Sequence, residues 1–108
     1  MSERRRGERV LIRVPIKVHS VDEGGRHINE EAEAIVVSRY GALIRLGAAP
    51  QKGATLEILN GFSQEIEKFR VVWVCGEARE GRYDVGVELV IARENFWGIR
   101  FPDPARQA

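Results

Sequence analysis

Residues 9–20 alternate between apolar side chains and other side chains with a period of two, which is typical of a strand that buries one face. The apolar face consists of Val10, Ile12, Val14, Ile16 and Val18. The opposite face consists of Leu11, Arg13, Pro15, Lys17 and His19. Pro15 has no backbone N–H to give to a neighbouring strand, so we expect this strand to lie at a sheet edge or near a kink.

Turn signals divide the rest of the chain into further short, β-rich segments. Glycine, proline and asparagine indicate turns at residues 22–25, 39–41, 50–53, 60–61 and 80–81. The segments between these turns are rich in β-branched residues, and we expect residues 34–37 to be buried on both faces. Only residues 92–98 suit a helix, of one or two turns. The sequence therefore predicts an all-β fold, a six- to seven-stranded antiparallel barrel or sandwich with a short C-terminal helix.

The chain has 108 residues, which is the length of one domain. We divide it into a flexible basic arm at 1–9, a β-domain at 10–102 and a tail at 103–108. Because Cys75 is the single cysteine, an internal disulfide and a multi-thiolate metal site are both excluded. No apolar run reaches the roughly 18 residues of a membrane span, and no apolar segment follows the basic N-terminus. We therefore expect a cytoplasmic protein without membrane insertion.

The side chains that catalysis requires are scarce. His19 and His27 are the two histidines, and they do not form a metal-ligand pair. Cys75 lies in an apolar run, which favours a small buried side chain over a nucleophile. The glutamates at 30–33 are interpreted as a solvated strand face, and the signature motifs of P-loop proteins, zinc peptidases and serine hydrolases do not occur. We predict that the protein is not an enzyme and that it has no metal and no cofactor.

Binding residues are concentrated in two segments. Residues 1–9 contain four arginines and two glutamates, and Arg5 and Arg9 stand four positions apart directly before the first strand. Arginine is suited to phosphates and guanine because its planar guanidinium group binds both in a bidentate manner. The second segment follows a buried strand, where the Ser38 hydroxyl is able to bond a base edge and Gly41 permits a ligand to approach the backbone.

These two segments resemble the sequence motifs of the PilZ domain family, the small β-barrels that bind the bacterial second messenger cyclic di-GMP. The first family motif, R-x-x-x-R, is matched by RRGER at 5–9. The second, D/N-x-S-x-x-G, is matched by VVSRYG at 36–41, where Val36 stands in place of the acid or amide. Further likeness lies in RVVWV at 70–74, DVGVEL at 84–89 and NFWGI at 95–99, so the resemblance covers nearly the whole chain.

The resemblance implies a PilZ-like six-stranded barrel with a helix near the C-terminus and a ligand held between the arm and the barrel. By this carry-over, Arg5 and Arg9 would hold phosphate and guanine. Ser38 would bond a second guanine edge, and Gly41 would leave room for the nucleotide. Neighbours expected to add contacts are Arg4, Arg6 and Arg39. The chain would then be a stand-alone receptor that passes the cyclic di-GMP signal to an unidentified effector protein.

Val36 leaves two alternatives open for this site. A valine cannot accept a hydrogen bond from the N–H groups of guanine, and leaving such donors unpaired costs about 1–3 kcal/mol. In the first alternative, arginines, stacking and backbone contacts keep the nucleotide bound. In the second, the domain has lost the nucleotide and serves as a protein-interaction module.

Single-stranded nucleic-acid binding, which other small barrels perform, is disfavoured. The formal net charge is only +1 and aromatic residues make up 7% of the chain. Phe69 and Trp73 fall within a core-like strand, and we interpret Phe96 and Trp97 as packing side chains at the end of the barrel rather than as a ligand-stacking surface.

Overall fold

The computed structural model describes residues 9–20, 28–76 and 80–99. These residues form six strands: β1 (Arg9–Ser20), β2 (Asn29–Ser38), β3 (Gly41–Leu46), β4 (Thr55–Asn60), β5 (Ile66–Val74) and β6 (Tyr83–Leu89). All strand pairs are antiparallel, and the order β1-β2-β3-β6-β5-β4 closes into a barrel through the pairing of β4 with β1. The prediction of an all-β antiparallel barrel is confirmed, with six strands in the described part of the chain.

The barrel interior holds the side chains that the alternation in β1 places inward. Val14, Ile16 and Val18 are buried there, whereas Leu11 on the opposite face is 85% exposed. The core also takes aliphatic side chains from the other strands, among them Ala34, Val37, Ile44, Leu46, Leu56, Ile58, Val71, Val85 and Val87. The prediction that β1 buries one face is confirmed.

Pro15 lies directly before the part of β1 that pairs with β4 as well as with β2. Pairing of β1 with β4 begins at Ile16, so Pro15 has a complete strand, β2, on one side only. Its carbonyl accepts a hydrogen bond from the Gly61 N–H at 2.7 Å. The register between β1 and β2 also shifts between Leu11 and Val14. Because the barrel is closed, β1 is not an edge strand.

The expectation that residues 34–37 are buried on both faces is wrong. Ala34 and Val37 are buried, but the two residues between them are only partly covered. The reason is a shift in the register with β3 between Ala34 and Val36, which places Val36 on the outer face of the sheet. None of the described residues forms a second layer over the sheet there, and Val36 lines an open groove.

The C-terminal helix expected at residues 92–98 is not confirmed, because residues 94–97 form a turn and the residues on either side of it have no regular structure. Asn95 and Gly98 have φ values of 72° and 71°, a left-handed conformation through which a right-handed helix does not pass. The turn instead buries Phe96 and Trp97 against Phe69, with ring centroids 5.3 Å and 5.9 Å from the Phe69 ring. Their interpretation as packing side chains is confirmed.

The β4–β5 turn is tied to this C-terminal segment by the buried side chain of Asn60. Its Nδ2 donates to the Phe96 carbonyl at 3.0 Å, and its Oδ1 accepts from the Phe62 N–H at 2.8 Å. Both ends of the amide are therefore satisfied, as a buried polar side chain requires. In the described ranges, none of the secondary structure is a helix long and apolar enough to cross a membrane.

Candidate functional site

An open groove of about 900 Å³ crosses the outer face of the barrel and is called the outer groove here. It extends over β2, β3, β6 and β5, and Arg9 at the start of β1 also lines it. Its volume is within the range of small-molecule binding sites. Among the pockets of the described residues it is much larger than the second, which has about 230 Å³ and lies beside Ile66 and Ile91.

The strand register arranges the outward residues of the outer groove in two rows. Residues that are partners on neighbouring strands point to the same face of a sheet, so each row is a continuous line of side chains. The polar row contains Arg9, Ser38, Gly41 and Glu88. The apolar row contains Val36, Leu43, Gly86 and Trp73.

Four of the residues singled out from the sequence lie in the outer groove: Arg9, Ser38, Arg39 and Gly41. Arg9 is exposed and is the Cα partner of Ser38 across the β1–β2 pair. The end of one motif therefore lies beside the serine of the other, although they are far apart in sequence. The remaining three candidates, Arg4, Arg5 and Arg6, lie outside the described residues, as do the rest of the arm before Arg9 and the tail at 103–108.

Gly41 is required by the packing of β3 on β6. A Cβ atom at this position would stand 2.6 Å from the carbonyl oxygen of Val87, which is far too close for a side chain. The hairpin around it is held by two further contacts: the Trp97 indole N–H donates to the Gly41 carbonyl at 3.1 Å, and the Leu89 N–H donates to the Tyr40 carbonyl at 2.8 Å. The close approach that the glycine permits is thus, in the described structure, an approach of β6.

Arg39, which lies between Ser38 and Gly41 of the second motif, is close to a carboxylate of the protein itself, that of Glu94. Arg39 Nη1 lies 3.8 Å from Oε1 of Glu94, and the Tyr40 hydroxyl donates to Glu94 Oε2 at 3.4 Å. The Arg39 side chain is 31% exposed and the Glu94 side chain 71% exposed. Ion pairs with this exposure contribute little to stability, so Glu94 would compete only weakly with an external anion for Arg39.

Trp73 is a groove residue that the sequence analysis missed. It was assigned to a core-like strand, but it is 49% exposed and lines the apolar row. The cause is a register shift between Val71 and Trp73, which turns both Val72 and Trp73 outward. The indole packs over Gly86, where a Cβ would stand 3.4 Å from Cβ and 3.6 Å from Cε3 of Trp73. A glycine inside a β-branched strand is the signal that pointed to this close approach.

An ion pair lies next to the apolar row on the outer face of β3 and β6. Arg45 and Asp84 are Cα partners on β3 and β6, and Arg45 Nε donates to Asp84 Oδ1 at 2.9 Å. The hydrogen bond and the carboxylate charge of Asp84 raise the pKa of Arg45 above its ordinary value. Arg45 does not line the groove itself, and the cations among its described lining residues are Arg9 and Arg39.

Metal chemistry has no visible basis in the described ranges, where no three His, Cys, Asp or Glu side chains are grouped so as to hold an ion. No histidine or cysteine is among the described residues that line the outer groove. A scan against protein-family models found no match for the chain, and a search of the curated proteins found none either.

Proposed function

We propose that the protein is a cytoplasmic receptor of the PilZ type, that its outer groove binds cyclic di-GMP, and that it passes the signal to a separate effector protein. The observation that carries the proposal is the pairing of Arg9 with Ser38, which brings the last arginine of one motif beside the serine of the other at one end of the polar row. The short C-terminal helix that the resemblance implies is not part of this proposal, because residues 94–97 form a turn.

The chemistry of the groove suits the parts of this ligand. Arg9 and Arg39 offer guanidinium groups for the two phosphates and for the N7 and O6 acceptors of guanine. Ser38 offers a hydroxyl that donates and accepts. The half-exposed indole of Trp73 is a flat surface for a base, and stacking of a base on an aromatic side chain contributes about 1–3 kcal/mol. In this proposal Arg5 adds a contact from the arm.

Calorimetric titration with cyclic di-GMP tests the proposal, with Arg9→Ala as the variant and Lys17→Ala as its control. Lys17 is an exposed cation on the same strand, at the end remote from the groove. Loss of a charge-assisted bidentate contact costs about 1.5–3 kcal/mol, so Arg9→Ala should weaken binding at least about tenfold, while Lys17→Ala should bind as the wild type does. Absence of binding by the wild type, or equal binding by all three proteins, would reject this site.

The proposed receptor binds cyclic di-GMP without hydrolysing it. In the described part of the groove the ionisable side chains are Arg9, Arg39, Tyr40 and Glu88. An acid/base pair with a positioned nucleophile is the arrangement that hydrolysis of a phosphodiester would need. We expect cyclic di-GMP to remain intact after prolonged incubation, as measured by chromatography. Linear dinucleotide that increases with protein concentration and persists after repurification would contradict this.

A protein-interaction module remains the second candidate, and one observation favours it. The apolar row places Val36, Leu43 and Trp73 on an open surface, and contiguous exposed apolar side chains are typical of protein interfaces. The same titration separates the two candidates, because a module that has lost the nucleotide would not respond to Arg9→Ala and would not bind cyclic di-GMP at any concentration.

A further inference from the structure

The polar row contains a carboxylate that the sequence motifs do not include. Glu88 is exposed on β6, lines the outer groove and is the Cα partner of Gly41. The Cβ position that Gly41 leaves empty is 3.5 Å from Glu88 Cα and 3.5 Å from Ser38 Oγ. The glycine therefore brings the serine hydroxyl and the base of the glutamate side chain to opposite sides of one point.

Glu88 is not among the glutamates that form ion pairs in the described part of the chain. In the described ranges, arginines pair with Glu33, Glu65, Glu67 and Glu94, and no ion pair of that set includes Glu88. Arg9 and Arg39 line the same groove and Arg70 is the Cα partner of Glu88 on β5, so these three cations exceed the two carboxylates, Glu88 and Glu94, where a phosphate would bind. The carboxylate of Glu88 is therefore compatible with an anionic ligand here.

We propose that Glu88 is the residue that recognises guanine in the outer groove, an inference that rests on the proposed function. The N1–H and N2–H2 groups of guanine are adjacent donors, and a carboxylate accepts from both with its two oxygens in a bidentate, charge-assisted contact. Val36 cannot make this contact from the neighbouring row. Glu88 thus supplies, from β6, an acceptor at the groove that the valine on β2 lacks.

This assignment makes Glu88 a specificity-determining residue. Adenine has an acceptor, N1, where guanine has the N1–H donor, and a C2–H where guanine has its amino group, so a carboxylate that faces this edge meets a lone pair and loses both contacts. A polar group that a bound base covers and leaves without a partner is what allows a site to reject a close analogue. Glu88 should therefore favour cyclic di-GMP over cyclic di-AMP.

Titration of the wild type and of Glu88→Gln with both dinucleotides tests this. Glutamine keeps the size of the side chain but replaces one acceptor by an N–H donor, so we expect guanine binding to weaken about tenfold or more. Binding of cyclic di-AMP should stay level or improve, so the preference for guanine falls at least about tenfold. The matched control is Glu31→Gln, an exposed glutamate on β2 at the end remote from Ser38, which should change neither affinity.

The outcomes separate this inference from the proposed function. If the wild type binds cyclic di-GMP and Glu88→Gln keeps both its affinity and its preference, the role of Glu88 is rejected and the receptor proposal stands. If the wild type binds neither dinucleotide, both are rejected. Equal melting temperatures of Glu88→Gln and the wild type are expected and would show that a loss of affinity does not come from unfolding.

Discussion

The two tryptophans of this chain lie on opposite sides of the barrel wall. Trp97 is 3% exposed, and its indole N–H donates to the Gly41 carbonyl, while Trp73 is 49% exposed and packs over Gly86. Both indoles therefore contact the same strand pair, β3 and β6, one at each of two glycines. The buried indole of Trp97 stabilises the β3–β6 pair from inside the barrel, whereas the half-exposed indole of Trp73 is available to a ligand on the outer face.

Removal of the buried Trp97 side chain should have the largest effect on the free energy of unfolding. Trp97→Ala deletes a buried ring that packs 4.9 Å from Phe96 and removes the hydrogen bond to the Gly41 carbonyl. Large-to-small changes of this kind cost about 3–5 kcal/mol. Chemical denaturation should show this loss in the free energy of unfolding. Trp97→Phe, which keeps a ring but not the N–H, should lose clearly less, and equal losses for the two variants would contradict the role of packing.

Gly41→Ala should disturb the β3–β6 pair, which lies between the indoles of Trp97 and Trp73. The new Cβ would stand 2.6 Å from the Val87 carbonyl oxygen, so β3 and β6 must separate locally at a cost of about 1–3 kcal/mol. Gly76→Ala is the control, because a Cβ there meets no atom within 4 Å. Thermal unfolding should show a lower melting temperature for Gly41→Ala alone. A matching decrease in both variants would contradict the role of the contact with β6.

Trp73→Ala should reverse the pattern that Trp97→Ala shows. The half-exposed ring contributes less to folding, so we expect a loss of about 1 kcal/mol in the free energy of unfolding. Affinity for cyclic di-GMP should fall by about 1–3 kcal/mol, which is about 5- to 150-fold, because a base loses its stacking surface. Calorimetry on this variant and denaturation on both tryptophan variants measure the two effects. Unchanged affinity would assign Trp73 to a protein contact instead of the nucleotide.

The residues that face the barrel interior could be predicted from the sequence more fully than the residues on its outer face. The period of two in β1 predicts which residues are buried because a strand that faces one core has no other way to alternate. The outer groove depends on two register shifts, at Ala34/Val36 and at Val71/Trp73, and each turns an apolar residue from the expected inside to the outside. A bulge depends on the partner strand, so the sequence of one strand does not reveal it.

The candidate site was likewise predicted in part. Arg9, Ser38, Arg39 and Gly41 were found from motifs that are local in sequence, and they line one groove. Glu88 and Trp73 were not found, because each enters the groove only through its pairing with β3 or β6. Contacts between distant strands are set by register, which no short motif encodes.

The smallest expected effect concerns the turn that carries Trp97. This turn directs Trp97 inward and Glu94 outward, where Glu94 Oε1 lies 3.8 Å from Arg39. In Glu94→Gln the charge is removed, while an amide oxygen remains to accept from the Tyr40 hydroxyl. Glu94 then competes less with a phosphate of the ligand for Arg39.

Exposed ion pairs contribute about 0.2–1 kcal/mol, so affinity for cyclic di-GMP should rise by at most about fivefold in Glu94→Gln. The gain should shrink as salt is added, because screening weakens the Arg39–Glu94 contact in the wild type as well. Titrations at low and high salt measure this, with Glu57→Gln on β4 as the control for loss of a negative charge. A decrease in affinity would mean that Glu94 orients Arg39 for the ligand instead of competing with it, and the outer face would then depend on the same turn that stabilises the inner one.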